Sequence, residues 1–178
     1  MSFQKTINQF LAAGVAGEYA DDSPRREAGY ILLAQRDALN DDAITALPKF
    51  ACAFTHTEND GEAIVGGTGE FAGILVNPKA YVNRANLDAS LELPDGSQGG
   101  LCTMGHVFVK SATAFAPGYV AAYANATGVI SAYASADSIP ETSTQIPAKF
   151  IQVSGSANGL GILEIGAFVV PVAATPST

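Results

Sequence analysis

Apolar residues in this chain come in short runs, and glycine or proline cuts almost every run before a helix could repeat. The stretch Lys49–His56, KFACAFTH, alternates Phe50, Cys52 and Phe54 with smaller residues, a two-residue period. EFAGILVNP runs as a strand until Pro78, and GHVFVKSAT alternates Val107 with Val109. Pro117-Gly118 turns the chain into YVAAYANATGVISAY, where residues 125–128 separate two strand-like halves as in a hairpin. AKFIQVSGSANGLGILEIGAFVV repeats that design around the loop GSANGLG. Strands at short spacing, glycine-rich turns and no long amphipathic helix predict an all-β fold, a β-barrel or a jelly-roll-like β-sandwich. YILLAQRDAL fits a strand or a short helix, ENDGEAIVGGTG reads as turn and loop, and ASLELPDGSQG holds a strand and an Asp95-Gly96 turn.

The first 29 residues do not share this pattern. Gly14 and Gly17 oppose a helix beyond a short one over 3–13, and Asp21-Asp22-Ser23-Pro24 reads as a turn. Yet Ile7, Phe10, Leu11, Val15 and Tyr19 are anchors that a purely disordered tail rarely carries. The reading is an extended arm over 1–29 laid against another surface, followed by an all-β domain over 30–178. A small inserted piece is expected around 77–100. Arg25 and Arg26 sit at the arm's end as ion-pair anchors to a neighbour.

Of the 178 residues 48% are apolar, enough for a core, but only 15% are charged, well under the usual quarter or so. Net charge is -8 with 9 Lys and Arg, which argues against a phosphate-backbone binder. From residue 100 onward the charges reduce to Asp137, Glu141, Glu164, Lys110 and Lys149. Such a composition suits partner contacts, or equally a sheet core with uncharged polar loops. No disulfide framework, signal peptide or spanning helix is legible, so synthesis in a cytoplasm without a membrane is expected.

Chemistry-bearing motifs are weak. Cys52 and His56 share their spacing with Cys102 and His106, a pattern that could suit zinc. In a strand, residues four apart lie about 13 Å from each other, out of reach of one metal. Cys–His nucleophilic catalysis needs an orienting group, and no local signature surrounds either cysteine. The acids at 21–22 and 41–42 sit in turns that they serve as backbone partners. GGTGEFAG lacks both the helix context of a dinucleotide fingerprint and the Gly-Lys-Ser/Thr of a Walker loop. Tyr119, Tyr123 and Tyr133 would serve a lectin as aromatic platforms, or pack within a sheet. No cofactor, metal or catalytic residue is expected.

The start of the chain resembles the structural cement, or capsid decoration, proteins of tailed bacteriophages. The resemblance is carried by Ile7-Asn8-Gln9-Phe10, then Val15 to Ala20, then Ser23-Pro24-Arg25. Looser likenesses follow at Lys49–Thr55, Gly66–Val76, Gly118–Ala124, Thr127–Ile130 and Lys149–Ile165. Asn77, where histidine or arginine is frequent, and the loop VNRANLDASLELPDGSQGG depart from the family pattern. The resemblance implies a non-enzymatic virion protein that binds the outside of the major capsid shell and braces it, with copies associating as a dimer or trimer. The capsid contacts would come from Ile7, Phe10, Leu11, Val15, Tyr19, Arg25 and Arg26. The competing functions are a tail, head-completion or glycan-binding attachment module, or a small hydrolase.

Overall fold

The structure, a computed structural model, describes residues 14–37, 40, 43–77, 92–151 and 155–166. Among the described residues eleven strands carry the fold: β1 (Arg26–Leu33), β2 (Gln35–Arg36), β3 (Ile44–Ala46), β4 (Ala53–His56), β5 (Glu62–Val65), β6 (Phe71–Leu75), β7 (Ser97–Lys110), β8 (Val120–Ala124), β9 (Ile130–Tyr133), β10 (Ser143–Phe150) and β11 (Leu160–Ile165). One 3-10 turn at Ala136–Ser138 is the sole helical element among the described residues. The all-β expectation holds.

Strand order in the main sheet is β1-β5-β4-β6-β7-β11-β10-β8-β9, and β1 also pairs with β7. That extra pairing closes the first five strands into a small barrel. Inside it lie Leu32, Phe54, Ala63, Val65, Leu75 and Leu101, with Phe50, Cys52 and Leu93 completing the same core. A barrel of so few strands has an interior that side chains can fill. β1 and β5 run parallel, with Ile31 opposite Glu62, and the rest of the barrel ladder is antiparallel.

β7 belongs to two sheets. Its first half pairs with β1 from Ser97 to Met104 and with β6 at Leu101 and Cys102. Its second half, Gly105 to Lys110, pairs with β11. From there β11, β10, β8 and β9 spread as an antiparallel sheet that covers one wall of the barrel. Consecutive residues on the shared wall therefore face different cores. Phe54, Leu75 and Leu101 point into the barrel, while Ala53, Ile74 and Cys102 join Val107, Val109, Tyr123, Phe150 and Leu163 in the second core. Full burial of each large aliphatic or aromatic side chain is worth about 1.5–3 kcal/mol.

The hairpins expected around the loops 125–128 and 155–161 are β8–β9 and β10–β11, both antiparallel, the second with β11 already begun at Leu160. β10 shows how alternation tolerates a proline. Ile146, Ala148 and Phe150 are buried, and Pro147 and Lys149 are exposed between them. Pairing with β8 shifts register between Gln145 and Lys149, so the missing N–H costs no ladder bond there. In YILLAQRDAL the residues Tyr30–Leu33 end β1, which begins earlier, at Arg26, and Gln35–Arg36 form β2. EAIV, read as loop, is β5, a barrel strand. Residues 78–91 and the proposed helix over 3–13 lie outside the described residues. The flank from Glu92 to Gly100 packs on the barrel: Leu93 is buried in its core, and Asp95 accepts the Ala34 amide at 2.7 Å and pairs with Arg36 at 2.7 Å.

Candidate functional site

Of the seven expected contact residues, Ile7, Phe10 and Leu11 lie outside the described residues. Val15, Tyr19, Arg25 and Arg26 lie on one strip of chain, and the fold holds that strip tightly. Residues 17–20 run antiparallel along the second half of β7, on the edge that β11 does not use. Gly17 N–H donates to Phe108 O at 2.7 Å, Phe108 N–H to Glu18 O at 2.8 Å, and Ala20 N–H to His106 O at 2.9 Å. Gly17 O in turn accepts Asn77 N–H at 2.8 Å. Small residues here let the backbone approach closely: a Cβ on Gly14 would lie 2.3 Å from the Phe108 ring. Ala16 and Tyr19 pack against the second core.

The strip's side chains divide by role. Tyr19 is half-buried, its hydroxyl donates to Glu27 at 2.9 Å, and the Arg25 guanidinium lies 4.4 Å over its ring. Burial, then Cys102 and Glu27, holds the Tyr19 hydroxyl far above the ordinary phenol range. Val15, Arg25 and Arg26 are exposed. Asp21 and Ser23 then reach His106 on β7. Asp21 Oδ2 lies 2.6 Å and Ser23 Oγ 3.2 Å from His106 Nδ1, while Nε2 faces Glu164 at 3.8 Å. Glu164 also meets Lys149 at 3.3 Å. Hydrogen bonding from His106, then from Ser23, lowers the Asp21 carboxyl to about 2.

Ser23, His106 and Asp21 are the residue types of a hydrolytic triad, but the arrangement is wrong for one. In a triad the serine and the carboxylate use opposite ring nitrogens, so that the carboxylate orients the base. Here both oxygens compete for Nδ1. The cluster is a clamp that ties residues 21–23 to β7. Sequence reasoning missed it, since no local signal pairs Asp21 with a histidine 85 positions later.

The cysteine–histidine pairs do not converge. Cys52 and Cys102 are both buried free thiols, and His56 is exposed at the end of β4. Burial pushes the Cys52 thiol up to about 11 and raises that of Cys102. A thiol so held is protonated at neutral pH, whereas nucleophiles and metal ligands are thiolates. Among the described residues no three His, Cys, Asp or Glu side chains gather in a way that could hold a metal. Tyr123 is wholly buried and Tyr119 and Tyr133 are half-buried, so the three form no exposed aromatic platform.

Comparison with known proteins gives this fold a family. No curated protein matches the chain. One chain in the capsid of Myoviridae Phage XM1 is similar in fold, with a TM-score of 0.58 and 14% identity, over 95% of this chain and 100% of that one. The family described as structural cement protein (E217 gp24/Pam3 gp6) matches residues 3–166. That match takes in both the arm that carries the resemblance and the two-core β domain, and the chain belongs to the structural cement protein family of phage capsids.

Proposed function

We propose that the protein decorates the outer surface of the major capsid shell and braces it against internal pressure, as a non-enzymatic component of the virion made in the host cytoplasm. The observation that carries this reading, beyond family membership, is the fixed root of the arm. Four backbone hydrogen bonds and the His106 clamp lock residues 17–23 onto the β domain. Whatever the upstream residues grip is therefore coupled mechanically to a rigid two-core body. In this reading Ile7, Phe10 and Leu11 seat in shallow pockets of the capsid protein, by strand addition or side-chain insertion. Val15 extends that apolar strip. Arg25 and Arg26 pair with capsid carboxylates at the rim, and Tyr19 holds Arg25 in position from below. The attachment arm, expected over 1–29, then ends before β1 at Arg26, and the β domain from there on acts as the bracing body.

Copies associate on the shell as a dimer or trimer, which lets one patch serve every copy. The weakly charged region after residue 100, whose composition suits partner contacts, includes the apolar stretches VFV and ILEIGAFVV. In the described part of those stretches Val107, Val109, Leu163 and Ile165 are spent on the protein's own core, so self-association needs another surface. Neither nucleic acid nor membrane is a partner in this reading. Protonated thiols, the shared nitrogen of His106 and the buried Tyr123 all favour the structural role over a hydrolase or a glycan-binding module.

The test is reconstitution. Purified protein added to shells lacking it should saturate at a fixed number of copies on the outer surface, visible by cryo-electron microscopy. Arg25→Glu with Arg26→Glu should lower occupancy after a salt wash. Failure to bind such shells, or binding to tail structures alone, would overturn the assignment.

A further inference from the structure

Strand edges in this fold are protected. The barrel closes on itself through β1 and β7, residues 17–20 cover the second half of β7, and Thr113 covers β9. The exception is the two-stranded sheet, whose strands pair, among the described residues, only with each other, and the edge with exposed apolar side chains there is β3. It pairs with β2 alone, and among the described residues no backbone hydrogen bond reaches its outer side. An exposed edge is ordinarily blunted by shortness, a bulge, a proline or a charge; β3 is three residues long and shifts register against β2, but it lacks the charge. Residues 44–48 are Ile-Thr-Ala-Leu-Pro, without a charge. Ile44 is 47% exposed, Leu47 37% and Val129 36%. These three line a groove of about 520 Å³ together with Thr127, Lys49 and Glu92.

We propose that this edge is the seat of self-association: β3 pairs antiparallel with β3 of a second copy about a two-fold axis at Thr45. An antiparallel strand is complementary to itself under a two-fold, so every group that one copy offers the other receives. The pairing merges two isolated two-stranded ribbons into one four-stranded sheet, and two-stranded ribbons alone are marginal in water. Ile44, Leu47 and Val129 of one copy then cover the same residues of the other. Charge favours this site over the rest of the surface. Two copies of net charge -8 repel, but the groove holds one cation and one anion, Lys49 and Glu92, 3.4 Å apart. Across a two-fold each Lys49 can turn from its own Glu92 to that of the second copy, so the contact is neutral and self-matching.

This inference rests on the self-association proposed above, and the experiment separates the two. Cys52 and Cys102 are buried, so Thr45→Cys adds the one exposed thiol among the described residues. Partner Cα atoms in an antiparallel pair lie about 4.5–5.5 Å apart, within disulfide range. T45C should form a covalent dimer under mild oxidation, both free and on shells. Ile44→Lys with Leu47→Glu should raise the dissociation constant at least about tenfold in sedimentation equilibrium, with an unchanged circular dichroism spectrum. A wild-type oligomer that survives I44K/L47E, with no T45C cross-link, would leave self-association standing and overturn this edge as its seat. Wild-type monomers at every concentration and on the shell, with no cross-link, would overturn both.

Discussion

Asp21 and His106 lie 2.6 Å apart across 85 positions of sequence, and their contact makes a pH prediction. The folded carboxyl is lowered from 3.8 to about 2 by His106 and then Ser23. The unfolded chain therefore takes up this proton before the folded one does. The stabilisation is fully present above 3.8 and is lost as pH falls through about 2. Carbon-detected NMR should find Asp21 titrating near the lower value, and His106→Ala should move it up toward the ordinary one. The same substitution should flatten the loss of stability between those two pH values. A second residue-scale prediction concerns the knot between the two halves of the molecule. Gly66 N–H donates to Ala53 O, Ala53 N–H to Gly128 O, and Gly67 N–H to Asn125 O. Gly66 and Gly128 have φ of 71° and 68°, and a Cβ on either would lie 2.4 Å from Asn125 O or 2.5 Å from Ala53 O. These neighbours are backbone and cannot swing aside. Gly128→Ala should cost about 2–5 kcal/mol in denaturant unfolding, from strain and overpacking together. Gly29→Ala, where a Cβ meets nothing within 4 Å, should stay within about 1 kcal/mol of wild type.

Among the elements, β9 shows how one side chain substitutes for a strand. The Thr113 hydroxyl donates to Ala132 O at 2.7 Å and accepts Ala132 N–H at 2.8 Å, as a neighbouring backbone would. Thr113→Val keeps the shape and leaves both groups without that partner. It should cost about 1–3 kcal/mol and increase aggregation on heating, while Thr113→Ser should behave nearly as wild type. Light scattering during a thermal ramp would check both. The strands themselves were legible where alternation met a turn: EFAGILVNP and the two C-terminal hairpins are where periodicity put them, and KFACAFTH is strand only over Ala53–His56, because Phe50 and Ala51 form a turn with Ala51 at φ 64°. β5 was missed because Glu62–Val65 is four residues between glycine-rich turns, too short for a period to emerge. Only the second part of β7 was legible, at Val107 and Val109, because Gly99, Gly100 and Gly105 look like loop punctuation, although here they sit within one fourteen-residue strand. The barrel closure rests on β1 meeting β7 some seventy positions away, a pairing that no local pattern encodes. The clamp on His106 was hidden for the same reason, and the open edge of β3 appears only once the two-stranded sheet is seen to pair, among the described residues, with nothing else.

For the whole molecule the question is where attachment ends and the body begins, and a truncation series answers it. Removing residues 1–13 takes away Ile7, Phe10 and Leu11 and leaves every hydrogen bond of the arm's root in place. The thermal midpoint should stay close to that of the full chain. Removing residues 1–20 is a different operation. It strips the bonds of Gly17, Glu18 and Ala20 from β7, uncovers that strand's edge, and withdraws Ala16 and Tyr19 from the second core. Each lost hydrogen bond is worth about 0.5–1.5 kcal/mol net, and the uncovered edge invites association. The longer deletion should therefore unfold at a clearly lower temperature and aggregate. On the shell the order of effects changes, because ordering an arm costs about 1–2 kcal/mol of backbone entropy per residue and a single contact is modest. Many arms on one particle hold through high local concentration, so the shorter deletion should bind but wash off. The decisive measurement is copies per particle before and after heating or salt, for the full chain and the chain lacking 1–13. Loss confined to the washed sample places the grip in the arm. Equal retention would make the arm a passenger and move the binding to a face of the β domain.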